Sequence, residues 1–142
     1  MSDQVLVAID DSDPARRALE YAYEQFPDDD ITVLTVVTDL EAAAVPDESL
    51  SFAREDVLKS LREQAEERLD RAEQRAANHD IDITRVIETG DPAAAILEYT
   101  EAHSPDHIVI GTHGRSGISR MFLGSVAERI IRRAPAPVIV VR

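Results

Sequence analysis

The stretch Gly111-Thr-His-Gly114-Arg-Ser-Gly-Ile-Ser-Arg-Met-Phe-Leu-Gly124-Ser125 is the part of the chain that decides its fold. It lies between an apolar run at residues 108–110, typical of a strand, and a helical pattern at residues 126–133. Where a glycine-rich turn leaves a strand and begins a helix, backbone N–H groups can converge on a phosphate. Glycine suits such a turn because it lacks the Cβ that would obstruct both the backbone angles and a ligand's close approach. The stretch therefore predicts a nucleotide site in an α/β fold.

Apolar runs and helical patterns alternate along the rest of the chain. Short apolar runs predict buried strands at residues 5–9, 31–37, 107–112 and 137–141, and alternation over residues 81–88 predicts an edge strand. Asp13 and Asp91 each precede a proline and are predicted to cap helices. An apolar stripe over residues 58–76 predicts a long helix, and residues 38–55, which lack periodicity, are predicted to form a surface loop or lid.

Strands that alternate with helices predict one domain over residues 1–142, with a five-stranded parallel sheet covered by helices on both faces. In such sheets ligands bind beyond the carboxyl ends of the strands, where the strand order reverses. If the fourth strand returns beside the first, Asp10 and Gly111 face each other across that crevice. The two turns then form one site.

The composition excludes several classes of protein. The formal net charge is −13, and Lys59 is the only lysine among 15 basic residues, so generic nucleic-acid binding is disfavoured. There is no cysteine for a disulfide or a thiolate site. With no membrane-length apolar run and no signal-peptide pattern, we expect a cytoplasmic protein. The acidic, lysine-poor surface suits a salt-rich cytoplasm, although an acidic protein of an ordinary cell fits the same composition.

Two familiar phosphate motifs are absent. A P-loop needs Gly-Lys-Ser/Thr, but Lys59 lies in the long helical pattern with no glycine near it. The dinucleotide motif GxGxxG would follow the first strand, and the turn after Ile9 has no glycine. What remains is the spacing Gly-x2-Gly-x9-Gly-Ser that begins at Gly111.

With these motifs the chain resembles the universal stress protein family, in particular its ATP-binding branch. The resemblance covers nearly the whole chain and rests on residues 5–12, 89–92, 111–125 and 135–141. It implies a Rossmann-like, adenine nucleotide alpha hydrolase-like fold, a homodimer, and ATP in the crevice with Mg²⁺ or Mn²⁺. We expect the dimer to form through the apolar last strand, because an unpaired strand edge favours pairing with another chain.

The resemblance also implies a role for each matching position. Asp10 would approach the adenosine end, Val36 would contact adenine, and the first two glycines would lie against ribose and phosphates. The helix start would hold the phosphate chain, with Ser125 near the metal ion. The implied site residues are Asp10, Val36, Gly111, Gly114, Gly124, Ser125 and Val126.

Structural roles compete with these ligand roles. Ser125 and Glu128 have the spacing of a capping box, and Asp10 is equally suited to be a solvated turn acid. His113, Arg115 and Arg120 lie in the glycine stretch, where a lone histidine is more often structural than catalytic and arginines can pair with surface carboxylates. The remaining histidines have no metal-ligand spacing.

Three functions fit the sequence. The first is a nucleotide-binding regulatory protein that changes partners with ATP occupancy. The second is a slow ATPase or phosphotransferase, for which Asp10, Asp11 and His113 are the only candidates to orient water, without a recognisable catalytic constellation. The third is a dimeric scaffold without nucleotide. The intact glycine motif favours the first.

Overall fold

Five strands and four helices make up the described part of the chain, residues 2–38, 51–112 and 124–142 of a computed structural model. In chain order the elements are β1 Gln4–Ile9, α1 Asp13–Gln25, β2 Asp30–Val37, α2 Ser51–Ala77, β3 Ile83–Thr89, α3 Pro92–His103, β4 His107–Gly111, α4 Ser125–Arg133 and β5 Val138–Val141.

The sheet is parallel throughout, with the strand order β3-β2-β1-β4-β5. Val7 of β1 lies in register with Val33 of β2 on one side and with Val109 of β4 on the other. The strand order reverses between β1 and β4, so the predicted return of the fourth strand beside the first is confirmed. The predicted edge position of β3 is confirmed as well.

Helices cover both faces of this sheet. Alternate strand residues such as Val7, Val33 and Val109 pack against α1 and α2 in one core cluster. The residues between them, such as Leu6 and Ile108, pack against α3 and α4 in a second cluster. Because both faces are buried, the central strands need continuous apolar runs, and this is why they could be recognised in the sequence.

The starts of two helices show one correct and one wrong cap prediction. Asp91 caps α3 by accepting a hydrogen bond from the Ala94 N–H at 3.0 Å, as predicted. The cap of α1 is Ser12, whose hydroxyl accepts from the Ala15 N–H at 3.3 Å, and Asp13 is the first helical residue. The prediction of Asp13 was wrong because Pro14 stands at the second rather than the first helical position.

The long helix α2 begins at Ser51, so the predicted loop does not extend to residue 55. Residues 39–50, the rest of that predicted loop, lie outside the described residues. The helix is attached to the edge strand by Arg85 of β3, which forms ion pairs with Glu66, Asp70 and Glu73 at 2.7–2.9 Å. Within the described ranges, α2 included, no helix combines the length and the hydropathy needed to cross a bilayer.

Candidate nucleotide-binding site

A cleft of about 330 Å³ opens at the carboxyl ends of the central strands. Its volume falls within the usual range for small-molecule sites. Six of the seven predicted site residues line it: Asp10, Val36, Gly111, Gly124, Ser125 and Val126. The seventh, Gly114, lies outside the described residues, as do His113, Arg115 and Arg120. The topology thus brings together residues that are more than a hundred positions apart in the chain.

Two backbone hydrogen bonds at this cleft join the residue after β4, Thr112, to β5 and to the cap residue of α4. The Thr112 N–H donates to the Val141 carbonyl at 2.8 Å, which extends the pairing of β4 with β5. The Thr112 carbonyl accepts from the Gly124 N–H at 2.5 Å. The chain therefore returns, after residues 113–123, to the point at which it left the sheet.

The first turn of α4 lines the cleft. Its cap residue is Gly124, which has no side chain to accept from the first-turn N–H groups, and Ser125 is an exposed first helical residue. The predicted capping box was therefore wrong, because Ser125 stands one position too late to cap the turn. Uncapped N–H groups at a helix start attract anions, and Ser125 and Val126 border the cleft there.

Gly111 has a packing role in addition to the ligand contact predicted for it. A Cβ at this position would lie 2.7 Å from the Pro14 carbonyl carbon and 2.9 Å from the Ala15 nitrogen. Both atoms belong to the backbone of α1, which cannot move aside as a flexible side chain could. The absence of a side chain therefore lets α1 pack closely against the end of β4, and Gly111 lines the cleft as well.

Asp10 follows β1 and is half-buried. Its Oδ1 accepts a hydrogen bond from the Ser12 N–H at 2.9 Å, so it holds the turn that begins α1. This is the turn role weighed from the sequence. Because Asp10 also lines the cleft, that role and contact with a ligand are compatible.

One wall of the cleft is apolar. Val36 lies on the face of the sheet that packs against α3 and α4, and Leu34, Ile96 and Ile110 border the cleft beside it. Val37 points to the other face and packs with Leu61 of α2. The wall offers a flat heteroaromatic ring a surface that excludes water.

Arg68 of α2 lines the cleft and was missed in the sequence. It is 7% exposed, and it donates to both carboxylate oxygens of Asp11 at 2.9 and 2.7 Å and to the Thr35 hydroxyl at 2.7 Å. Thr35 in turn donates to the Ile9 carbonyl at 3.0 Å. Arg68 thereby ties α2 to the turn after β1. The sequence did contain a signal for this buried arginine, because Arg68 follows Ala65 of the apolar stripe by three residues and so lies on the same helix face.

The described histidines contact carboxylates or aromatic rings. The Nε2 atoms of His79 and His107 lie 3.0 and 3.1 Å from carboxylates of Glu20 and Asp3. His103 stacks on Tyr99. Within residues 2–38, 51–112 and 124–142, no group of three or more potential ligands is arranged to hold a metal ion.

A Rossmann-like parallel sheet with a ligand-sized crevice at its switch point defines the class of this protein. The model of the universal stress protein family matches residues 1–142. The chain belongs to the universal stress protein family.

Individual relatives agree with this assignment. A universal stress protein of Thermus aquaticus is 33% identical over 142 residues, with both chains fully covered. One from Methanocaldococcus jannaschii is 40% identical over 82 residues, which make up 58% of this chain and 48% of that relative. The solved structure of UspA from Lactobacillus plantarum superimposes with a TM-score of 0.87 at 27% identity, covering 99% of this chain and 97% of the other.

Two further structures of the fold contain an adenine nucleotide. One is a universal stress protein in complex with cAMP, with a TM-score of 0.65, 24% identity and coverage of 99% and 96% of the two chains. The other is an Arabidopsis thaliana family protein with AMP bound, with a TM-score of 0.69, 22% identity and coverage of 98% and 90%. These likenesses establish the shared fold.

Proposed function

We propose that this protein binds ATP in the cleft and acts in the cytoplasm as a regulatory stress-response protein whose occupancy controls its partners. The observation that carries the proposal is the start of α4, whose cap residue is a glycine and which meets an apolar wall and Asp10 in one cleft of about 330 Å³. An anion site beside an apolar wall matches the two ends of a nucleotide. The nucleotides found in two proteins of the same fold support the same ligand class.

The cleft provides a separate environment for each part of ATP. In our proposal adenine lies on the apolar wall at Val36, and ribose lies between Asp10 and Gly111. The phosphate chain reaches the N–H groups of Ser125 and Val126, with Gly124 and Gly114 leaving room beside it. Burying the base would contribute through the hydrophobic effect, and the helix start would bind charge.

A Mg²⁺ or Mn²⁺ ion would accompany the phosphates. Such ions are usually held by one or two protein groups together with phosphate oxygens and water. The Ser125 hydroxyl is exposed at the phosphate end of the cleft and is suited to contact the ion. When bound, the ion would neutralise phosphate charge on this acidic protein.

The described carboxylates favour a binding role over an ATPase. Both oxygens of Asp11 accept from Arg68, and Asp10 accepts from the Ser12 N–H. A general base must instead be aimed at the attacking water. Both acids therefore hold the turn after β1, a role that leaves Asp10 able to contact ribose as proposed.

The small molecules that remain bound to the purified protein test the proposal. Native mass spectrometry of small molecules retained after a gentle purification should recover ATP. ADP alone would favour the ATPase. An empty cleft that also fails to take up added ATP would contradict nucleotide binding and favour the scaffold.

A further inference from the structure

We propose that a second cavity, between α1 and α2, is a phosphate subsite adjoining the nucleotide cleft. It has a volume of about 190 Å³, too small for a nucleotide but sufficient for a phosphate group. It shares Asp10 and Arg68 with the larger cleft, so the two cavities meet around these side chains.

Four arginines line this cavity: Arg16, Arg68, Arg71 and Arg75. The carboxylates among its lining residues are those of Asp10 and Asp11. The acid partners of Arg16 and Arg75, which are Asp13 and Glu20, lie outside the lining. The cavity is therefore lined by more cations than anions, in a chain whose net charge is −13. The guanidinium groups are thus concentrated on the cavity side, while two of the paired carboxylates lie outside the lining.

The arginines differ in how firmly they are held. Arg68 is 7% exposed and bidentate on Asp11, so it is a fixed anchor. Arg71 and Arg75 each approach one carboxylate at 3.3 Å, and their side chains are 60% and 42% exposed. Exposed pairs at this distance contribute little to stability. Arg71 and Arg75 can therefore turn toward a phosphate at small cost.

The paired N–H donors of a guanidinium group match the spacing of phosphate oxygens. The ligand that suits this cavity is therefore a phosphate dianion. The dianion has two possible sources. It can be a second phosphoryl group on the ribose of the bound adenosine nucleotide, a case that rests on the proposed function. It can also be free phosphate, which needs no nucleotide.

A pair of double variants isolates the subsite. Arg71→Gln/Arg75→Gln removes the two loosely held arginines and leaves the larger cleft's lining intact. Arg54→Gln/Arg62→Gln removes the same charge from exposed positions of the same helix, outside both cavities. Each protein is titrated by calorimetry with inorganic phosphate, AMP, adenosine 2′,5′-bisphosphate, adenosine 3′,5′-bisphosphate and ATP.

The wild type and the control should bind one of the bisphosphates about tenfold more tightly than AMP, since each charge-assisted hydrogen bond is worth about that factor. Arg71→Gln/Arg75→Gln should lose this advantage. Inorganic phosphate that binds wild type and control but not this variant would support the subsite with free phosphate as its source.

Phosphate and bisphosphate affinities that are the same in both double variants would overturn the inference. If ATP binds but the affinity for phosphate does not depend on Arg71 and Arg75, the subsite would be contradicted and the proposed function would stand. Arginine-dependent phosphate binding without ATP binding would contradict the proposed function and leave the subsite standing.

Discussion

A single missing Cβ sets how closely the first helix approaches the sheet. At Gly111 the added atom would meet backbone atoms of Pro14 and Ala15 at 2.7 and 2.9 Å. At Gly124 the backbone angles, φ −62° and ψ 153°, are open to any residue. The two glycines at the ends of the motif therefore have different physical requirements.

Gly111→Ala should destabilise the protein by about 1–3 kcal/mol, because the new methyl group forces α1 away from β4. Urea unfolding followed by circular dichroism measures this change. Gly124→Ser is the matched control and should leave stability unchanged or raised, since serine is a good cap at these angles. Equal stability of Gly111→Ala and wild type would refute the packing role.

Asp91 should make stability depend on pH. The Ala94 N–H and, to a lesser degree, Arg129 hold the pKa of Asp91 below its ordinary value near 3.8. A lowered folded-state pKa stabilises the protein above the ordinary value, and this contribution is lost as pH falls through the folded-state pKa. Asparagine still caps a helix but carries no charge.

The stability advantage of wild type over Asp91→Asn should therefore be constant near neutral pH and disappear below pH 3.8. Urea unfolding from pH 6 to pH 2 measures it. Arg129→Gln serves as the control, and the stability advantage of this variant over the double variant Arg129→Gln/Asp91→Asn should be smaller than that of wild type over Asp91→Asn, but not zero. An advantage that does not change over this range would show that the carboxylate charge has no role in the cap.

Residue roles were predictable where they depend on local sequence, and not where they depend on distant partners. Asp91 could be predicted as a cap because its donor lies three residues away. The constraint on Gly111 comes from Pro14, far off in the chain, and Arg68 is fixed by Asp11, 57 residues away. No spacing rule predicts such contacts.

At the scale of elements, α2 is attached to the sheet by charge as well as by its apolar stripe. Arg85 lies on the edge strand β3, is 25% exposed in its side chain, and pairs with three carboxylates of α2. Without this cation, Glu66, Asp70 and Glu73 would repel one another along one helix face.

Arg85→Gln should lower the free energy of unfolding by about 1–2 kcal/mol, a modest figure because the carboxylates are more than half exposed. The loss should shrink in 1 M salt, which screens the exposed carboxylates. Arg62→Gln, on an exposed position of α2, is the control and should change stability little. Stability that falls equally in both variants would contradict a specific attachment by Arg85.

The number, order and type of the described elements could be predicted, but several boundaries could not. Buried parallel strands can be recognised as apolar runs in the sequence, but their order in the sheet remained an assumption until the structure gave it. The start of α2 could not be predicted because residues 51–57 lack apolar periodicity, although they are helical. These residues extend a helix whose packing against the sheet involves its later residues, such as Leu61, Ala65 and Leu69.

At the scale of the whole molecule, the net charge of −13 and the outer edge of β5, with which no described strand pairs, act against each other. All four residues of β5, Val138–Val141, are partly exposed. An apolar edge favours pairing with a second copy, whereas like charge on two copies opposes it. Salt should decide the balance, because it screens the repulsion and leaves the apolar edge unchanged.

We predict a dimer through β5 whose dissociation constant falls as potassium chloride is raised, because salt screens the repulsion between chains. Light scattering over a dilution series at low and high salt measures this equilibrium. Val140→Lys, which would bury an ammonium group in the apolar interface, should favour the monomer, and Ser60→Lys on exposed α2, which makes the same change in net charge, provides the matched control. A monomeric mass at every salt concentration would contradict dimerisation.

The central claim, that the start of α4 binds the phosphates of ATP, is tested most directly by calorimetry of Ser125→Glu with ATP and Mg²⁺. Ser125 is exposed, and a carboxylate in the first turn favours the helix, so the variant should fold at least as well as wild type. The same carboxylate would repel the phosphates. We predict a loss of ATP affinity of about tenfold or more in Ser125→Glu, against little change in Ser60→Glu. Equal ATP affinity in wild type and both variants would contradict the claim.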